Sequence, residues 1–131
     1  MIQGIGIDIV QVDRIASLVQ RYGKRFVQRI LTEEEISAWA RRRDQSVFLA
    51  GRFAAKEAVF KALGTGLSHG ISFRDVTVVR TDSRPTLRLS GKADLRAREM
   101  NVSRMQLSIS HEKSYAVAMV ILEGDQEECS S

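Results

Sequence analysis

A chain of 131 residues with 44% apolar and 27% charged side chains is rich enough in hydrophobic sequence for one packed core and too rich for a disordered chain. No apolar run reaches the length of a membrane span, no basic region precedes the N-terminal apolar stretch as in a secretory signal, and the single cysteine, Cys129, excludes an internal disulfide. A reducing cytoplasm is therefore the expected location, and a net charge of +4 favours acidic partners: phosphorylated small molecules, nucleic acid or an acidic protein.

Residues 2–10 predict a strand, with Ile5, Ile7 and Ile9 on one face and Gly4, Gly6, Asp8 and Val10 on the other. A helix follows from about Asp13, carrying Ile15, Leu18, Val19 and Tyr22 at helical spacing and stopping at Gly23. "KRFVQRIL" adds a short helical turn or two, and Thr32-x-x-Glu35 is a capping box opening a helix through Trp39. A long helix runs from about Val47 to Leu63 and ends at Gly64. It is apolar on nearly every side, which predicts burial and makes each of its charges notable.

Strands over 75–81 and 86–90 are expected to pair through a turn at Asp82-Ser83-Arg84-Pro85. A helix from about Lys92 to Met100 and an antiparallel pair, 105–110 with 115–122, complete the elements. The last strand is apolar on both sides, so both faces are expected to be covered. The whole predicts one α+β domain over residues 1–123, an antiparallel sheet on a long buried helix, followed by a frayed acidic tail over 124–131.

Asp8 is the first residue that suggests chemistry. An ionised carboxylate in an apolar strand must be paired, metal-bound or neutralised, and two readings stand: a cap for the next helix, or a ligand. Glu57 and Lys61, four residues apart on the buried helix, share one face. On a surface helix they would be an ion pair worth about 0.3–0.5 kcal/mol; on a buried one they suggest a site. A carboxylate from a strand and another from a helix suit a hard cation such as Mg²⁺, whose remaining positions go to water and phosphate. One Cys and two His exclude a zinc cluster, "GIGIDIV" fails the dinucleotide fingerprint at Ile9, and Ser110 lacks a nucleophile-elbow context. His111 falls at a strand end, where bonding to its own turn is the plain alternative to ligand contact. Arg41, Arg42 and Arg43 follow a helix C-terminus, where cations complement the dipole. Arg14, Arg21 and Arg25 lie along one flank with Leu18 between them, a mixture suited to an acidic helix.

Three stretches, "GIGIDIVQVDRI", "RFAAKEAVFKALGTG" and "LSISHEKSYAVAMV", occur in order, and together they resemble the motifs of the holo-acyl-carrier-protein synthase family of phosphopantetheinyl transferases over about Ile2 to Leu122. That resemblance implies transfer of the 4′-phosphopantetheine arm of coenzyme A to a serine of apo acyl carrier protein, in fatty acid biosynthesis, with adenosine 3′,5′-bisphosphate as the other product. It implies Asp8 and Glu57 as ligands of Mg²⁺ (or Mn²⁺), and Lys61 beside the pyrophosphate. His111, Arg52, Arg42, Arg43, Gly64, Thr65 and Gly66 become candidates for coenzyme A contacts, and Arg14, Leu18, Arg21 and Arg25 for the carrier. It also implies a homotrimer with sites between subunits. Under this reading Gly4 and Gly6 leave room above the strand for metal and pyrophosphate. Two alternatives remain: the same transfer to a carrier domain within a larger synthase, and a basic nucleic-acid-binding module. The second explains the charge but leaves Asp8 and Glu57 unexplained, and one Trp with two Tyr makes a poor stacking platform.

Overall fold

An all-round apolar helix needs partners on every side, and the fold is arranged to supply them. The computed structural model describes residues 1–66, 70–82 and 84–125. In chain order the elements are β1 (Ile2–Gln11), α1 (Val12–Tyr22), α2 (Lys24–Ile30), α3 (Glu33–Ala40), α4 (Gln45–Leu63), a 3-10 turn (Phe73–Asp75), β2 (Val76–Thr81), β3 (Arg84–Leu89), α5 (Gly91–Glu99), β4 (Arg104–His111) and β5 (Tyr115–Glu123). This is the expected α+β class. An antiparallel sheet of order β1-β5-β4 lies beside a separate β2-β3 ribbon, and α4 is buried among them, with Leu49, Ala54, Ala55, Val59 and Leu63 fully inaccessible. Burying each of its larger apolar side chains contributes about 1.5–3 kcal/mol. Thr32 and Glu35 form the predicted capping box, and Gly64 closes α4 in the left-handed conformation, φ 76°.

Two glycines of β1 have a different purpose from the one expected. Gly4 and Gly6 face α4, and a Cβ at Gly6 would run into the Ala58 carbonyl, one at Gly4 into the Ala62 carbonyl. They let the strand backbone lie directly against the helix backbone, leaving no space there for a ligand. The strand is pulled close to α4 and brings Asp8 with it.

The sheet departs from expectation on its outer side. Ala116, Ala118, Val120 and Leu122 of β5 are buried against α4, but Val117, Met119 and Ile121 point away from it. They register with Ile9, Ile7 and Ile5 of β1, and these isoleucines are 56–63% exposed. Among the described residues, only one face of the last strand is covered. An apolar patch of this kind is characteristic of an interaction surface.

The ribbon corrects a boundary. Asp75 belongs to the 3-10 turn, and β3 begins at Arg84 with Pro85 inside it, opposite Arg80. The ribbon has only two strands, so a proline is tolerated where its missing N–H faces no third strand. At the C-terminus, Gly124 is buried and exchanges hydrogen bonds with Met1, 2.7 and 2.8 Å. The rest of the expected tail, including Cys129, lies beyond Asp125 and outside the described residues.

Candidate functional site

The close approach of β1 to α4 places three of the singled-out side chains together. Asp8 sits on the inward face of β1 opposite Ala118. Lys61, in the last turn of α4, donates from Nζ to Asp8 Oδ1 at 3.0 Å and to the Ile7 carbonyl at 2.9 Å. Its ion pair is thus made across the strand with Asp8 and not along the helix with Glu57. Glu57, one turn earlier, is half-buried. Burial raises its pKa above the ordinary glutamate range, the Asp8 carboxylate raises it further, and Lys61 and Arg14 oppose the shift. The Asp8 and Glu57 carboxylates repel each other, and they form a donor set that a divalent cation would relieve. Among the described residues no group of three or more His, Cys, Asp or Glu converges. A cation held here would keep most of its coordination positions for water and phosphate, as Mg²⁺ does. The residues present fit Mg²⁺.

A second cluster has the opposite sign. Arg42, Arg52, Arg80, Arg84 and His111 line a cleft of about 400 Å³ with Phe48, Pro85 and Ser108 among its other walls. Arg52 is only 8% exposed. Its guanidinium stacks on the Phe48 ring at 4.1 Å, and its Nε has no hydrogen-bond partner among the described residues. Burial lowers the Arg52 pKa, Glu35 opposes this, and Arg80 and Arg42 lower it further. Arg42 is engaged by Asp44 through two bonds, 2.8 and 2.9 Å. Several guanidiniums gathered with Asp44 as the only acidic residue among the described ones lining the cleft could hold an anion. His111 also lines a smaller cleft of about 330 Å³ with Ile9, Tyr115 and Val117, so the cationic cleft leads toward the outer apolar face.

The other expected residues are dispersed. Arg43 is exposed and does not line the cationic cleft. Gly64 and Thr65 border a different cleft, about 480 Å³, with Lys92, Leu95 and Arg96; Gly66 is exposed at φ 59°. The basic row is broken at Gly23, φ 61°, which ends α1. Leu18 and Arg25 share a groove with Tyr22, Phe26 and Arg29. Arg21 lies over the Tyr22 ring at 5.4 Å, while Arg14 is near enough to act on Glu57. Sequence reasoning missed Arg80 and Arg84, for which two arginines bracketing a tight turn were the available signal. It also missed Phe26 and Arg29 of α2, which share the groove with Tyr22 and Arg25.

The comparisons with known proteins bear on what such a pair of clusters serves. The model of the 4′-phosphopantetheinyl transferase superfamily matches residues 4–120. The chain belongs to that superfamily. As a 4′-phosphopantetheinyl transferase it is an enzyme, and its relatives match it over nearly their full length. Holo-[acyl-carrier-protein] synthase of Vibrio parahaemolyticus serotype O3:K6 is 48% identical over 123 residues, 93% of this chain and 98% of that one. The crystal structure of holo-[acyl-carrier-protein] synthase from Neisseria meningitidis superposes with a TM-score of 0.88 at 38% identity, covering 94% of this chain and 99% of that one. The Helicobacter pylori enzyme of the same name, solved in complex with coenzyme A, gives a TM-score of 0.79 at 34% identity, covering 91% and 99%.

Proposed function

We propose that this transferase is a holo-[acyl-carrier-protein] synthase, moving 4′-phosphopantetheine from coenzyme A to a serine hydroxyl of apo acyl carrier protein in fatty acid biosynthesis. The observation that carries the proposal is the convergence of Asp8, Glu57 and Lys61 between β1 and α4. In the reaction the serine oxygen forms a bond to the phosphorus bearing pantetheine, the bond to the bridging pyrophosphate oxygen breaks, adenosine 3′,5′-bisphosphate departs, and the serine proton passes to a base. Such transfers depend on positioning and charge stabilisation more than on covalent help from the protein. Asp8 and Glu57 would hold Mg²⁺ or Mn²⁺, which neutralises charge on the pyrophosphate when bound. Lys61 exchanges its bond to Asp8 for the phosphate and stabilises the leaving oxygen. Arg52, with Arg42, Arg80, Arg84 and His111, receives the nucleotide phosphate.

The acidic cluster and the cationic cleft have no lining residue in common. The cleft leads through His111 to the exposed face of Ile5, Ile7, Ile9, Val117 and Met119. This supports a homotrimer in which that face is buried and each site takes its carboxylates from one subunit and its cleft from the next. The groove of Leu18, Tyr22, Arg25, Phe26 and Arg29, with Arg14 and Arg21 beside it, offers the acidic carrier an apolar anchor and a basic surround. A single-cysteine chain suits the reducing cytoplasm. The test is mass spectrometry of apo carrier incubated with the chain, coenzyme A and Mg²⁺. The carrier gains the mass of one phosphopantetheine; an unchanged mass contradicts the assignment.

A further inference from the structure

A third charged group on α4 lines neither cluster, although Glu35 acts electrostatically on Arg52. Lys56 and Glu35 form an ion pair at 2.6 Å with side chains 0% and 1% exposed. Every polar atom in it is used. Lys56 Nζ also donates to the Ile30 carbonyl at the end of α2, 2.7 Å. Glu35 Oε1 accepts from the Thr32 backbone N–H at 2.9 Å, and Oε2 from the Val78 backbone N–H on β2 at 2.8 Å. One lysine of α4 is thereby tied to α2, α3 and β2 at a single point.

Burying two charges is costly, and an apolar pair of similar volume often serves stability as well or better. A stability role therefore leaves the pair unexplained. Its place on the helix offers an explanation. Glu57 is the next residue, about 100° further round, and Arg52 is one turn back on the same side as Lys56. A tie that fixes the rotation of α4 at Lys56 fixes the direction of both. The opposite side of α4 lies against Gly4 and Gly6 of β1 at Ala62 and Ala58, with Lys61 bonded to the same strand, so the Lys56–Glu35 tie holds the helix from the far side.

We propose that Lys56 and Glu35 are positioning residues: their sealed ion pair locks the rotation of α4, so that Glu57 meets Asp8 while Arg52 faces the cationic cleft. The proposal rests on the reading of Asp8 and Glu57 as metal ligands. Its test uses the full chain and Mn²⁺ as the probe, with binding followed by electron paramagnetic resonance and turnover measured in parallel. The double variant Lys56→Met/Glu35→Gln removes both buried charges, and Lys56→Arg keeps the charge but lengthens the arm. Both are measured at a temperature where circular dichroism gives the native spectrum.

The expected result is a loss of about ten- to a hundredfold in Mn²⁺ affinity and in kcat for the double variant, the range usual when the groups supporting a metal ligand are removed. Lys56→Arg is expected to show a smaller loss in both. Folded variants with native Mn²⁺ affinity and native kcat overturn the proposal, because a purely structural pair would change the melting temperature alone. If the double variant does not fold, Lys56→Arg decides by the same two readouts. Failure of the wild-type chain to bind Mn²⁺ would instead remove the metal reading, and is thereby told apart.

Discussion

The acidic cluster and the cationic cleft are both built on α4, yet they are built differently. Asp8, Glu57 and Lys61 are held by a strand packed backbone-to-backbone on the helix, and Lys61 remains 54% exposed in its side chain. Arg52 is sunk against Phe48 with its Nε unpaired among the described residues, and its neighbours Arg80 and Arg84 come from a ribbon outside the main sheet. One region is short of positive charge and the other of negative charge. A substrate rich in phosphate, with a cation beside it, satisfies both. The difference teaches that charge arranged for chemistry is incompletely paired, whereas the neighbouring Lys56–Glu35 pair is fully paired and sealed.

Breaking the acidic cluster has the largest expected effect. Asp8→Ala or Glu57→Ala abolishes turnover in a carrier-loading assay while circular dichroism stays native; near-native activity in either variant would falsify the metal assignment. Breaking the cleft comes next. Arg52→Ala removes a charge-assisted contact worth about 1.5–3 kcal/mol, so KM for coenzyme A rises about ten- to a hundredfold in steady-state kinetics, with Mn²⁺ binding unchanged. A smaller effect belongs to the carrier surface. Arg21→Glu raises KM for the carrier by several-fold and flattens its dependence on salt, while leaving KM for coenzyme A alone.

The smallest effect sharpens the electrostatics. The Glu57 pKa is raised in the folded chain, so the folded state prefers the neutral acid. That preference contributes stability which is fully present below the ordinary glutamate range and lost as pH rises through the raised value. In the absence of metal, Glu57→Gln should therefore melt above wild type at neutral pH, and the two should converge in acid. Thermal melts across that range check the sign.

Much of this was legible in the sequence because it is local. Hydrophobic periodicity, the Thr32–Glu35 box and the stop at Gly64 each depend on residues within a few positions. Asp8 and Glu57 could be singled out because a carboxylate is conspicuous in an apolar context, although their meeting depends on β1 crossing α4. What escaped depends on distant pairing. Glu35 and Lys56 are 21 residues apart, and nothing local in Glu35 beyond its capping role announces a buried partner. Gly4 and Gly6 looked like space for a ligand because a strand alone does not reveal the helix laid on it. Arg80 and Arg84 joined the cleft through the placement of the ribbon, and Pro85 entered a strand because that strand has a free edge. The outer face of β5 looked buried because its residues are apolar, but the described residues of one chain provide no cover for it.

The central claim, that each active site combines the carboxylates of one subunit with the cationic cleft of another, has a direct test. Glu57→Ala and Arg52→Ala chains, each inactive or nearly so under limiting coenzyme A, are unfolded together, mixed in equal amounts and refolded. If sites are shared between copies, random assembly restores wild-type pairing in about a quarter of them, and carrier loading returns to that order. If loading in the mixture stays at the level of the separate variants, the site lies within one chain and the account is contradicted.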